Sequence, residues 1–79
     1  MTKQIDIKEL IPYLKKGWVA MDENGTWLWC EVKPKIKNCG IWELSEQCSY
    51  CTLTAYINIA PISNWTKSLI KVENKDEFI

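Results

Sequence analysis

Two short, mostly apolar runs flank an Asn24-Gly25 dipeptide in the first half of the chain. The runs span residues 18–22 and 26–32, and both are rich in the aromatic and β-branched residues that favour strands. Asn and Gly both tolerate the positive φ angles of a type I′ turn. The pattern therefore predicts a β-hairpin with a two-residue loop.

The predicted hairpin determines which side chains share a face of the sheet. A two-residue loop pairs Met21 with Leu28 and Val19 with Cys30. The aliphatic side chains then share one face with Cys30, and we expect an N-terminal helix to cover that face. The opposite face collects aromatic side chains, to which a later strand contributes: Trp18, Trp27, Trp29 and Tyr56.

This predicted aromatic face has two interpretations. Large rings can fill the thin core of a small protein, because each buries about 150–250 Å². Trp and Tyr also dominate binding surfaces and stacking platforms, so the face can instead bind a ligand or a partner. So short a chain has little room to hide this many rings on one face, which predicts a homo-oligomer.

The N-terminal residues have the pattern of a short helix. Asp6 is a suitable N-cap, and Glu9 follows three residues later, as in a capping box. The sequence predicts a helix over residues 7–11, a second turn over 12–16 that starts with a proline, and a stop at Gly17.

The remaining segments predict further strands. We expect a basic loop, a short strand, a long strand, one helical turn capped by Ser63 or Asn64, and a last strand. These elements fall in that order at residues 33–40, 41–44, 50–60, 65–67 and 68–72.

The predicted elements define an α+β fold. A short N-terminal helical segment packs on a four- to five-stranded, mainly antiparallel curved sheet or small open barrel. The length fits a single domain over residues 1–79, with residues 1–5 and 74–79 expected to fray.

The composition excludes several kinds of chemistry. The chain has 79 residues, with ten lysines against ten Asp plus Glu, five tryptophans, and neither histidine nor arginine. The lack of histidine excludes Ser-His-Asp and Cys-His catalysis, and we expect no enzyme. Balanced charge without arginine disfavours binding to duplex DNA, which relies on an excess of cations.

Lys33, Lys35 and Lys37 alternate in the predicted loop, next to the aromatic face. They can be solvated lysines that keep a sheet edge from pairing. They can also form an anion site, because ammonium groups beside a tryptophan suit a nucleotide or an acidic partner surface. We therefore include the three lysines with the aromatic residues as candidate binding residues.

Four cysteines are spaced C-x8-C-x8-C-x2-C. Four thiolates can bind zinc, so an alternative structural metal site consists of Cys30, Cys39, Cys48 and Cys51. Strong zinc patterns contain two close pairs, whereas this chain has one. We favour free thiols and no cofactor, with Cys30 and Cys51 in the core.

The N-terminal region and the hydropathy pattern predict a cytoplasmic protein. No apolar run approaches the ~18–20 residues that span a bilayer, so we expect no contact with a membrane. The residues around Asp6 are charged and lack the apolar stretch of a secretory signal.

Two parts of the chain resemble small, Trp-rich, uncharacterised proteins encoded by phages and prophages. They are residues 10–22 with 24–29, and the segment from Pro61 to Leu69. The resemblance implies a non-enzymatic accessory protein of a phage or mobile element, acting in the cytoplasm of the infected host cell. Such proteins bind and block a host protein or sequester a signalling nucleotide, so we expect an anti-defence inhibitor. The alternatives are a structural or virion accessory protein without a ligand and a zinc-stabilised adaptor.

Overall fold

The computed structural model describes residues 3–37, 39–45 and 47–73. These residues confirm the predicted α+β class: they form one short α-helix, three 3-10 helices, a four-stranded antiparallel sheet and a two-stranded sheet. The larger sheet is open and is not closed into a barrel. In the described part of the chain, no helix is both long and apolar enough to cross a membrane.

The N-terminal helix α1 spans Ile7–Leu10 and leads directly into a 3-10 helix over Ile11–Tyr13. The Asp6 carboxylate accepts a hydrogen bond from the Lys8 backbone N–H at 2.8 Å, which confirms the predicted N-cap. Pro12 lies in the first turn of the 3-10 helix, where a residue without an N–H removes no helical hydrogen bond. The proline therefore ends α1 without breaking the helical path.

The described residues contain six strands: β1 (Gly17–Met21), β2 (Trp27–Cys30), β3 (Lys35–Ile36), β4 (Trp42–Glu43), β5 (Tyr50–Thr52) and β6 (Ile70–Val72). The larger sheet has the order β5-β2-β1-β6, and all neighbouring strands are antiparallel. β3 pairs with β4 in the small sheet, so the segment predicted as a loop over residues 33–40 contains a strand.

The long strand predicted over residues 50–60 is wrong. β5 ends after three residues, and a 3-10 helix follows over Leu53–Ala55. The Leu53 carbonyl accepts hydrogen bonds from the backbone N–H groups of Tyr56 and Ile57, both at 3.0 Å, and this turns the chain away from the sheet. Because the Leu53 side chain is buried in the core, packing overrides the strand propensity of its neighbours.

The chain ends that were predicted to fray are described only in part. Residues 1–2 and 74–79 lie outside the described residues. In Ile5, by contrast, both backbone polar groups are hydrogen-bonded. Its N–H donates to the Asn58 carbonyl at 3.0 Å, and its carbonyl accepts from the Ala60 N–H at 2.8 Å. The N-terminal segment is thereby attached to the chain that follows the 3-10 turn.

The β1–β2 hairpin is confirmed, but its loop has three residues rather than two. The Asp22 N–H donates to the Thr26 carbonyl, and the Gly25 N–H donates to the Asp22 carbonyl, both at 2.9 Å. Gly25 has φ +93°, and among the described residues only glycines have a positive φ. Asn24 therefore does not adopt the positive φ that a type I′ turn requires. A type I turn followed by a left-handed glycine is the common three-residue form.

The extra loop residue shifts the hairpin register by one, so the predicted pairing is wrong. Val19 lies opposite Trp29, and Met21 lies opposite Trp27. Because side chains alternate across a strand, a one-residue slip moves a whole set to the other face. Val19, Met21, Trp27 and Trp29 form what we term the inner face, and the outer face holds Trp18, Ala20, Leu28 and Cys30.

The inner face packs against the N-terminal helical segment, as predicted for that segment, and forms the core. Trp27, which was predicted on the face opposite Val19 and Met21, lies on the same face as they do: it is fully buried, and its Nε1–H donates to the Ala60 carbonyl at 3.2 Å. The buried cluster comprises Ile7, Val19, Met21, Trp27, Leu53, Ile59 and Val72.

Gly17 is not the predicted helix stop but the first residue of β1, and its φ is not positive. A Cβ at this position would lie 2.6 Å from the Cys30 carbonyl oxygen and 2.8 Å from Trp29 Nε1. The Trp29 indole passes over this glycine and donates to the Lys15 carbonyl at 3.0 Å. Glycine is therefore needed here for close approach rather than for a left-handed backbone.

The helical turn predicted near the C-terminal end is confirmed as a 3-10 helix over Trp65–Lys67. The Asn64 side-chain oxygen accepts the Thr66 backbone N–H at 3.1 Å, so Asn64 is the cap. Ser68 follows directly at the C-cap position, with its backbone N–H bonded to the Trp65 carbonyl at 3.1 Å. The turn thereby places Ser68 next to Met21 at the end of β1.

Ser68 extends the pairing of β1 with β6 through its side chain. It is 1% exposed, and its Oγ accepts a hydrogen bond from the Met21 N–H at 2.7 Å. The hydroxyl proton has its shortest acceptor in the Trp65 carbonyl, also at 2.7 Å. The Met21 carbonyl accepts the Trp42 Nε1–H at 2.9 Å. Both polar groups of the Met21 peptide unit are thus satisfied by side chains.

We expect Ser68→Ala to lower the free energy of unfolding by about 1–3 kcal/mol, because the buried Met21 N–H loses its acceptor. The exposed Ser63 is the matched control, and Ser63→Ala should change stability by less than about 0.5 kcal/mol. Urea denaturation measures both variants. Equal stability of the two variants would contradict the assigned role of the Ser68 hydroxyl.

Candidate ligand-binding site

The four aromatic residues predicted to share one face lie in different parts of the molecule. Trp18 is on the outer face, Trp27 is fully buried in the core, and Trp29 is half-buried on the inner face. Tyr56 follows the 3-10 turn and is 81% exposed. The prediction of a single aromatic face is therefore wrong, because the hairpin register is shifted and the strand expected over 50–60 is interrupted.

Trp18 is the tryptophan that combines partial exposure with nearby positive charge. In the sheet it lies between Cys30 of β2 and Lys71 of β6. The Lys33 Nζ lies 5.4 Å from the centroid of the Trp18 ring, and the Lys71 Nζ lies 5.7 Å from it. Both distances are within the range of cation–π attraction, about 0.5–1 kcal/mol at exposed sites. We term Trp18, Lys33 and Lys71 the Trp18 site.

The three lysines predicted as one cluster have different surroundings. Lys33 alone among them is found over the Trp18 ring. Lys35 lies on β3 opposite Glu43, and the Lys37 Nζ is 3.9 Å from a Glu43 carboxylate oxygen. Because the Lys37 and Glu43 side chains are both about half exposed, this pair contributes little to stability.

A surface pocket of about 390 Å³ adjoins the Trp18 site. Its lining residues come from the segment after β2, from β3 and from the end of β4: Val32, Lys33, Lys35, Glu43, Leu44 and Ser45. Lys33 belongs both to this pocket and to the Trp18 site, so the two are neighbours on the surface. Glu43, which also lines the pocket, makes it less favourable for an anion.

Sequence reasoning missed Lys71. Its place beside Trp18 follows from the pairing of β1 with β6, in which Trp18 and Lys71 are directly opposite. Lys71 also forms an exposed ion pair with Glu73, with 3.7 Å between Nζ and a carboxylate oxygen. The alternation of Ile70, Lys71 and Val72 indicates that Lys71 faces away from the core, but it does not indicate which strand lies next to it.

Trp42 and Trp65, which the sequence pattern left unplaced, have structural roles. Their rings form an edge-to-face pair with 6.2 Å between centroids and 89° between planes. The Trp42 backbone N–H donates to Asp22 Oδ1 at 2.9 Å, and its indole N–H is bonded to Met21. These two tryptophans attach distant segments to the end of the hairpin and are not part of the Trp18 site.

The four cysteines are free thiols in the structure. Cys30 is fully buried on the outer face, whereas Cys51 packs against the core from the inner face of β5. Cys39 is exposed, and Cys48 is partly buried. No three Cys, Asp or Glu residues of the described chain come together as a metal site, so the predicted zinc alternative is not assembled. Cys30 is therefore buried as predicted, but on the face opposite the core cluster, and Cys51 is only partly buried against that cluster.

Cys30 has a perturbed thiol. Burial raises its pKa from 9.0 to about 11, and the neighbouring Cys48 contributes in the same direction through its charge and a side-chain hydrogen bond. The Cys48 Sγ also accepts the Val32 backbone N–H at 3.4 Å. The neutral form of the Cys30 thiol is therefore the stable form in the folded chain, and it is a poor nucleophile or metal ligand.

Comparison with known proteins gives no relative: no protein-family model matches the chain, and no curated protein or solved structure matches it. Evidence on function therefore comes from the residues around Trp18 and from the sequence.

The Cys30 thiol makes stability depend on alkaline pH. Between about pH 9 and pH 11 the unfolded chain loses the Cys30 proton while the folded chain keeps it, so the free energy of unfolding falls as pH rises. We expect Cys30→Ala to reduce the slope of this decline, whereas Cys39→Ala at the exposed cysteine leaves it unchanged. Urea denaturation across this pH range measures the slopes. The same slope in both variants would contradict the raised pKa.

Proposed function

We propose that the chain is a non-enzymatic binding protein of phage or mobile-element origin that holds a nucleotide at the Trp18 site. The observation that supports this most directly is the placement of two lysine ammonium groups over one partly exposed tryptophan ring, at 5.4 and 5.7 Å from its centroid. A nucleotide joins an aromatic base to a phosphate, and the Trp18 site offers a partner for each.

The two kinds of contact have separate physical origins. Stacking of a base on an aromatic side chain contributes about 1–3 kcal/mol and tolerates different bases. Lys33 and Lys71 supply ammonium groups, which attract phosphate as point charges without the bidentate geometry of arginine. A base that stacks on the exposed part of the Trp18 ring takes the place that the two ammonium groups occupy in the free protein. The displaced ammonium groups of Lys33 and Lys71 can then bind the phosphate of the same nucleotide.

The residues present favour binding of a nucleotide without a chemical reaction on it. The chain has no histidine, and within the described residues no cluster of three Cys, Asp or Glu could hold a catalytic metal. Glu73 is paired with Lys71 on the surface, at one side of the Trp18 site. A protein that binds a nucleotide and leaves it intact lowers the free concentration of that nucleotide.

This property agrees with the role that the phage resemblance implies. A phage protein that sequesters a signalling nucleotide in the cytoplasm of the infected cell would act as an anti-defence inhibitor. A host protein with an acidic surface is the second candidate partner, because Lys33 and Lys35 line the same pocket and both are exposed.

The nucleotide proposal predicts binding that depends on Lys33 and Lys71. We expect isothermal titration calorimetry with mono-, cyclic and dinucleotides to find a ligand. Lys33→Gln and Lys71→Gln should each weaken its affinity about five- to tenfold, because each removes one charged contact to phosphate. Lys37→Gln is the matched control, since Lys37 is paired with Glu43 and should leave the affinity unchanged.

Trp18→Leu separates stacking from charge. It should abolish most of the binding in low salt, whereas added salt should weaken binding to the wild-type chain by screening the lysines. Failure of every nucleotide in the panel to bind would refute the proposal. Equal loss of affinity in Lys37→Gln would show general charge attraction rather than a site at Trp18.

A further inference from the structure

The two edges of the large sheet offer different backbone groups to solvent. Along β2 and β5, the Glu31 N–H donates to the Ser49 carbonyl at 2.9 Å. Hydrogen-bonded pairs alternate in an antiparallel ladder, so the next such pair is Trp29 with Cys51. The backbone groups of Tyr50 and Thr52 therefore point away from β2, toward the open edge.

The opposite edge is protected. The Asp22–Thr26 bond sets the same alternation in β1, so Ile70 and Val72 of β6 face β1. The backbone groups of Lys71 then point outward, at the centre of the edge. A lysine at this position deters pairing with another strand, because a second copy would bring like charges together.

The β5 edge has no such protection. The sequence contains no charged residue from position 47 to position 66, although a quarter of the whole chain is charged. Large side chains near the edge are exposed: Tyr50 is 60% exposed, and Tyr13 is 84% exposed. Tyr13 lines an open, mostly apolar pocket of about 300 Å³ together with Leu14, Lys15, Trp29, Cys51 and Leu53. An uncharged edge beside an apolar pocket is typical of an interaction surface.

We propose that two copies of this chain associate through their β5 strands, which pair antiparallel about a two-fold axis at Cys51. The outward groups of β5 are self-complementary in this arrangement. The Thr52 N–H of each copy donates to the partner's Tyr50 carbonyl, and the two bonds are related by symmetry. The Thr52 carbonyl is already the first acceptor of the 3-10 helix that follows, so the interface relies on the Thr52 N–H.

This register also joins the apolar pockets. Cys51 and the partner's Cys51 face each other as a non-hydrogen-bonded pair, the closer of the two pair types in an antiparallel ladder. Both side chains lie on the inner faces, where Cys51 already lines the pocket beside Trp29 and Leu53. The two pockets therefore become neighbours across the axis, and their apolar linings lose contact with water.

A second copy fits this edge better than an arbitrary strand. Its donor and acceptor are two residues apart, as the symmetric register requires, and the central residue is an uncharged cysteine that can face its own copy. The resulting sheet has eight strands and ends on both sides at the lysine-protected β6 edge. The assembly is therefore closed at two copies and does not grow into a fibre.

Thr52→Pro tests the proposal with little risk to the fold. The outward N–H of Thr52 has no role in the β2–β5 ladder, and φ at Thr52 is −84°, close to the value of proline. In sedimentation velocity across a concentration series, we expect the wild-type chain to dimerise and Thr52→Pro to raise the dimer Kd at least about tenfold. Thr52→Val keeps the N–H and is the matched control, with an unchanged Kd.

Cross-linking tests the register. In a Cys39→Ser/Cys48→Ser background, Cys51 is the accessible thiol because Cys30 is buried. Diamide accepts two protons and two electrons from two thiols as it forms the disulfide. We expect a covalent dimer, lost in Cys51→Ser, because the opposed Cα atoms of such a pair are about 4.5 Å apart, within disulfide range.

Three results would overturn this proposal. A chain that stays monomeric at every concentration would exclude a second copy and leave the β5 edge to an extended segment of another protein. A dimer unaffected by Thr52→Pro would use a different surface. A dimer that Thr52→Pro weakens but that gives no Cys51 disulfide would pair in another register. None of these outcomes depends on ligand binding at Trp18.

Discussion

The number of residues in the β1–β2 loop determines the rest of the structure. Gly25 adopts φ +93° and closes a three-residue loop, so Met21 faces Trp27. A loop one residue shorter would place each β2 side chain on the opposite face relative to the β1 side chains, so that Val19 and Met21 would share a face with Leu28 and Cys30. Because of this single backbone conformation, Trp27 fills the core, Trp29 reaches over Gly17, and Trp18 is left on the outer face near two lysines.

Local signals in the sequence predicted the local structure well. The Asp6 and Asn64 caps and the hairpin each depend on residues a few positions apart, and each is confirmed. The register was not predictable in this way, because an Asn-Gly pair is compatible with a two- or a three-residue loop. The strand over 50–60 failed for a different reason: its β-branched residues favour a strand, but the burial of Leu53 decides the backbone.

The candidate site could be predicted only in part for the same physical reason. The sequence predicted that Lys33 lies beside a tryptophan. Which tryptophan it is depends on the hairpin register, and the position of Lys71 depends on the pairing of two strands that are distant in the sequence. Polar side chains also join distant segments at one end of β1. Ser68 binds the Met21 N–H, and Trp42 binds the Met21 carbonyl and Asp22. The strand β1, which carries Trp18, is thus held in place by contacts between residues that are distant in the sequence.

The strand order has a consequence for synthesis on the ribosome. β1 is an inner strand, yet the residue that satisfies Met21 is 47 positions further along the chain. While the chain emerges, β1 and β2 can pair at once, but β1 keeps one bare edge until Ser68 and β6 leave the exit tunnel. Long-range closure of this kind slows folding. Until that pairing forms, the unpaired edge of β1 can associate with other chains, which favours slow or chaperone-assisted completion of the sheet.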